Sequence, residues 1–116
     1  MKLEGVSFKA FSNSENGSLN SETIMNFTSE SDVILGNYSG GTITAGHVLA
    51  RRISENELEM LYQGATTSGE IQAGQAKATF VQTGNGEYEM HLDWQWLTGD
   101  QSKGTSQWMH VLNNNT

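Results

Sequence analysis

The chain has 116 residues, thirteen glycines, no proline, no cysteine and a formal charge of −7 with only six basic side chains. That length gives one domain, 1–116, around a single core that buries about two thirds of the unfolded surface. Without cysteine there are no disulfides, thiolate metal sites or cysteine nucleophiles, and an acidic chain with no Lys/Arg patch is not expected to bind nucleic acid.

The opening stretch MKLEGVSFKAF lacks the apolar run of about seven or more residues that a signal peptide or membrane anchor requires, so a cytoplasmic protein is expected and no membrane partner. The Asn-x-Ser/Thr triplets at Asn16, Asn26 and Asn37 then read as ordinary composition. Val6, Phe8 and Ala10 alternate with Ser7 and Lys9 as a first strand, ended by the turn formers SNSENGSLNS. Met25 and Phe27 mark a second strand, and the segment from Val33 and Leu35 to Tyr38 a third. A longer strand runs from Thr42 to Ile53. Leu58, Met60 and Tyr62 follow, with Glu57 and Glu59 on the opposite face. After Thr67-Ser68-Gly69 come Glu70 to Thr83, a hairpin turn at Thr83-Gly84-Asn85-Gly86, and a last pair over Tyr88 to Leu97 and Thr105 to Leu112, with NNNT as a tail.

Apolar residues recur at spacing two throughout, and the short connections leave no room for the helical crossover that parallel pairing requires. The absence of proline keeps every backbone N–H available for pairing. About eight sequential antiparallel strands are best closed into an up-and-down barrel, because closure alone removes both exposed edges. Such a barrel is filled by side chains or holds one small ligand.

From Tyr88 the alternation places Tyr88, Met90, Leu92, Trp94 and Trp96 on the interior face and Glu89, His91, Asp93 and Gln95 outside. The orientation of Trp108 depends on the last hairpin. If paired residue numbers have an even sum, all three tryptophans share the interior; if odd, His91 meets His110 outside and Trp108 points away. Glu89, His91, Asp93 and His110 are chemically acceptable metal ligands, but polar outer faces look like this by default, so no metal site is assigned.

On the long fourth strand, Arg51 and Arg52 must face opposite sides. If Arg51 joins Ile43, Ala45, His47 and Leu49 inside, a guanidinium and an imidazole could hold an anionic group; the competing inner face is Gly46, Val48 and Ala50. No Gly-x-Ser-x-Gly elbow, phosphate loop or dinucleotide fingerprint is present, so no cofactor is expected.

The motifs Ser12-Asn13-Ser14-Glu15-Asn16-Gly17, Ser21-Glu22-Thr23, Tyr38-Ser39-Gly40-Gly41, Tyr62-Gln63, Trp94-Gln95-Trp96 and Thr98-Gly99-Asp100 with Ser102 and Gly104 resemble a family of small uncharacterised bacterial proteins over almost the whole chain. Many of its members carry the label N-acetylglutamate synthase, and the resemblance implies a calycin-like barrel akin to avidin and lipocalin. The chain departs from that family's pattern at Asp93 and at Trp108 to His110. Acetyl transfer from coenzyme A ordinarily uses a Gln/Arg-x-x-Gly-x-Gly/Ala loop at a helix N-terminus, and the nearest match, Gln82 to Gly86, leads into a strand.

Three functions follow in order of expectation. The first is a non-enzymatic barrel for a small, mostly apolar or aromatic molecule, with Tyr38, Tyr62, Trp94 and Trp96 as wall residues. The second is an enzyme working inside the barrel with His47 as acid/base and Arg51 as anion clamp. The third is an interaction module, a homodimer joined through an outer strand face.

Overall fold

A computed structural model describes residues 1–13, 22–84 and 86–111. The expected connection at 12–21 therefore falls mostly, and the tail at 113–116 wholly, outside the described residues, as do Asn85 and Leu112. Among the described residues the strands are β1 (Ser7–Asn13), β2 (Ile24–Glu30), β3 (Ile34–Gly40), β4 (Ile43–Ser54), β5 (Glu57–Thr66), β6 (Ile71–Gly84), β7 (Glu87–Trp96) and β8 (Lys103–Val111). Each pairs antiparallel with the next, and β1 pairs with β8, so the sheet closes into a barrel in sequence order. No helix of the described residues is long and apolar enough to cross a membrane.

Why this sequence fills a narrow cylinder is visible around the barrel rather than along any strand. Inward residues in register alternate large with small: Ile34, Ala50, Met60, Ala76, Trp94 and Gly104 follow one another across β3 to β8. Each bulky side chain thus meets a small neighbour on the next strand, which fits large rings into a small circumference.

The two ends differ. At the end carrying the β2–β3, β4–β5 and β6–β7 turns, the chain before β1 folds back over the opening and sinks Leu3 completely into the core. Gly5 N donates to Phe27 O at 2.8 Å, and Leu3 N donates to Glu30 Oε1 at 2.8 Å. Arg52 fixes the flap, pairing through Nε with Glu30 Oε2 at 2.5 Å and donating to the carbonyls of Met1 and Glu55. Beneath it Phe8 packs edge-on to Phe27 at 6.0 Å and against Phe80 at 5.6 Å. The Arg52 guanidinium holds the Glu30 carboxyl below its ordinary range, against the opposing effect of burial. This end is plugged.

The opposite end carries the β3–β4, β5–β6 and β7–β8 turns together with the β1–β2 connection, most of which lies outside the described residues. At Gly40, whose φ of 109° suits glycine, an added Cβ would also collide with the backbone carbonyl of Glu22.

Candidate binding site opposite the N-terminal flap

Four rings converge toward the end opposite the flap. Tyr38 comes from β3, Tyr62 from β5, and Trp94 and Trp96 from β7, where spacing two puts both indoles on the inner face. Their centroids form a chain: Tyr38 to Tyr62 at 6.2 Å, Tyr62 to Trp96 at 5.6 Å and Trp96 to Trp94 at 6.0 Å. The first two contacts are edge-to-face, the favoured arrangement of ring quadrupoles.

Glycines seat the tyrosines. A Cβ at Gly46 would lie 2.4 Å from the Tyr38 ring, one at Gly64 would lie 2.7 Å from the Tyr38 hydroxyl, and one at Gly74 would lie 2.5 Å from the Tyr62 ring. The rings therefore lie flat across the backbones of neighbouring strands, which is where strand-interior glycine is useful. Sequence reasoning treated glycine mainly as a turn former and missed these seats; the available signal was isolated glycine at inward positions of otherwise regular strands.

With the rings in these positions, the cavity among Met25, Tyr38, Tyr62, Leu92, Trp94 and Trp108 measures about 20 Å³, room for roughly one water. Burial pushes the Tyr38 hydroxyl up to about 12, and burial together with the adjacent Tyr38 raises Tyr62 further. Both phenols are neutral donors at ordinary pH.

The indoles divide by their N–H groups. Trp108, fully buried, donates from Nε1 to Ser106 Oγ at 2.9 Å. Trp94 is 5% exposed, and its Nε1 is buried with no acceptor among the described residues. At the rim, Gln72 Oε1 is likewise buried and unpartnered. An unpaired buried donor is costly, so an acceptor placed against Trp94 Nε1 would be stabilising.

The last hairpin takes the even register: Met90 lies opposite Trp108 and Trp94 opposite Gly104, so all three indoles share the interior. His91 therefore faces outward across from Gln107, with Nε2 3.0 Å from Glu89 Oε1, while His110 points the other way and stacks on Phe8 at 5.5 Å. The outer-face histidine pair of the odd register is not formed. Among the described residues no cluster of three or more His, Asp or Glu could hold a metal ion.

His47 and Arg51 do not join the rings. A β-bulge between Ile43 and Ala45 lets Ile43 and Gly46 both face inward, and from there Val48 and Ala50 continue the inner face. Ala45, His47, Leu49 and Arg51 consequently face solvent, and Arg51 pairs with Glu59 on the surface at 2.5 Å. Ile43 does not share a face with His47, as strict alternation would require. Arg52 takes the inward-leaning place, at the plugged end. An imidazole and guanidinium acting together inside the barrel are thus corrected to two surface residues.

No curated protein and no solved structure matches the chain. The family model described as avidin-like protein matches residues 1–111, nearly the full length. A closed barrel of eight antiparallel strands in simple sequence order, matched throughout by that model, makes this chain a member of the avidin-like protein family.

Proposed function

We propose that the chain is a non-enzymatic binding protein that takes a small, mostly apolar or aromatic molecule into the end of the barrel opposite the N-terminal flap, against Tyr38, Tyr62, Trp94 and Trp96. Avidin-like barrels bind small ligands, which supports the general class. The observation that carries the choice of site is the gathering of four rings at the end opposite the N-terminal flap, one of them Trp94 with an unpaired indole N–H. Large flat rings supply apolar contact at low conformational cost. The space among the rings is only about 20 Å³, so binding requires them to part, and half-buried Tyr62 is the wall residue nearest solvent.

Native mass spectrometry and tryptophan fluorescence against a panel of small aromatic compounds test this. A compound that is retained in native spectra, quenches the indoles and loses affinity on Trp96→Ala is expected. A panel without binders, with Trp94→Ala and Trp96→Ala acting only on stability, would leave the rings as packing and end the proposal. The enzyme alternative lacks its His47–Arg51 pair inside the barrel. The N-acetylglutamate synthase label gains no support from the residues either, because Gln82 and Gly84 end β6 and Gly86 leads into β7, with no helix to hold a pyrophosphate.

A second reading, a homodimer, is favoured by one outer row. Leu35, Leu49 and Leu61 are 45%, 47% and 52% exposed and lie in cross-strand register on β3, β4 and β5. A broad outer groove of about 940 Å³ runs over Leu49, Leu61 and the charged side chains Arg51, Glu59, Lys77 and Asp93. A contiguous apolar row rimmed by charges suits a subunit interface. Sedimentation equilibrium showing a dimer that Leu49→Glu dissociates supports it; a monomer at high concentration removes it.

A further inference from the structure

The unsatisfied indole of Trp94 says something about the polarity of what enters. The geometry points to a ligand that is neutral and planar and carries a hydrogen-bond acceptor, such as a carbonyl or heteroaromatic nitrogen, on the edge that goes in first, where it receives the Trp94 Nε1 proton. This inference rests on the binding site proposed above and narrows its ligand class.

The reasoning is by elimination among chemical groups. An indole N–H donates and cannot accept, so neither an alcohol acting only as donor nor an ammonium group would satisfy it. A hydrocarbon would leave it orphaned. A carboxylate could accept the proton, but its charge would be buried among Met25, Tyr38, Tyr62, Leu92, Trp96 and Trp108, with no cation in that lining. A neutral acceptor satisfies the donor and leaves no unpaired charge. The comparison inside the same barrel is Trp108, whose N–H is already taken by Ser106, so indoles here are not left unpaired as a matter of course.

The test uses two probes of nearly the same shape, indane and 1-indanone, which differ by one carbonyl. Affinities of both are measured for the wild-type chain and for Trp94→Phe, which keeps a ring and loses the N–H. The expected result is that the indanone-to-indane affinity ratio falls about fivefold in Trp94→Phe, the worth of one hydrogen bond. Comparing ratios cancels the difference in the probes' own hydration. A ratio unchanged by the substitution, with both probes still binding, overturns the acceptor inference and leaves the binding site standing. Binding of neither probe at any accessible concentration, with an empty aromatic panel, removes the site and this inference together.

Should Trp94→Phe not fold, the wild-type chain decides by itself. Nitrogen-15 NMR of the three indole N–H groups is expected to show the Trp94 proton moving downfield with 1-indanone and not with indane. A Trp94 signal that responds identically to both bound probes overturns the assignment.

Discussion

Tyr38 on β3 lies across Gly46 on β4, its register partner, so closely that the smallest possible side chain at position 46 would come within 2.4 Å of the ring. Ring and glycine form one unit. Gly46→Ala should therefore destabilise the barrel by about 1–3 kcal/mol through overpacking. Because the clash is with a side chain, the double variant with Tyr38→Ala should show clear non-additivity. Urea denaturation of the two single variants and the double variant measures this; strictly additive losses would mean that the ring does not sit on the glycine.

Trp108 occupies the barrel interior with no exposure at all, opposite Met90 on β7. Trp108→Ala is expected to cost about 3–5 kcal/mol, against about 0.5 kcal/mol or less for Leu97→Ala at an exposed position. Denaturation midpoints compare the two directly, and a small loss at Trp108 would contradict the even register of the last hairpin.

Alkaline stability should be set in part by Tyr38. Its hydroxyl ionises at about 12 when folded, against 10.0 when unfolded, because burial disfavours the phenolate. Its contribution is fully present below pH 10.0. Above that value the unfolded chain releases the proton first, and the contribution, about 3 kcal/mol, is lost as pH rises to about 12. Tyr38→Phe should flatten this limb of the stability curve.

The acid limb should respond to Glu30. Its carboxyl is held below the ordinary value of 4.5, chiefly by the hydrogen bond from Arg52. A lowered folded value means that the contribution is present above 4.5 and is lost as pH falls through the folded value. Glu30→Gln should cost about 1–2 kcal/mol at neutral pH, since it weakens the bonds to Arg52 and to Leu3 N, and the difference from wild type should shrink in acid. Denaturation across pH checks both statements.

The barrel itself was legible because spacing-two alternation with short links has few solutions. The inner faces of β5 and β7 followed directly from Leu58, Met60 and Tyr62 and from Met90, Leu92, Trp94 and Trp96. Alternation failed on β4, where apolar residues occupy both parities and the bulge after Ile43 breaks the count, so His47 and Arg51 could not be placed by periodicity. The parity of the β7–β8 hairpin was likewise beyond the pattern, because Trp108 and Met109 offer a large apolar residue to either side. Of the candidate site, the rings were readable from one strand each, whereas their seats on Gly46, Gly64 and Gly74 belong to the register between strands.

Ser7 pairs with Val111, so the seam that shuts the cylinder joins the first strand to the last. A nascent polypeptide leaving the ribosome cannot make that seam until β8 has emerged. Until then it carries a curled sheet with two unsatisfied borders, each able to recruit a stranger's backbone. Synthesis of this chain therefore passes through an interval of exposure to association that ends only with its final strand.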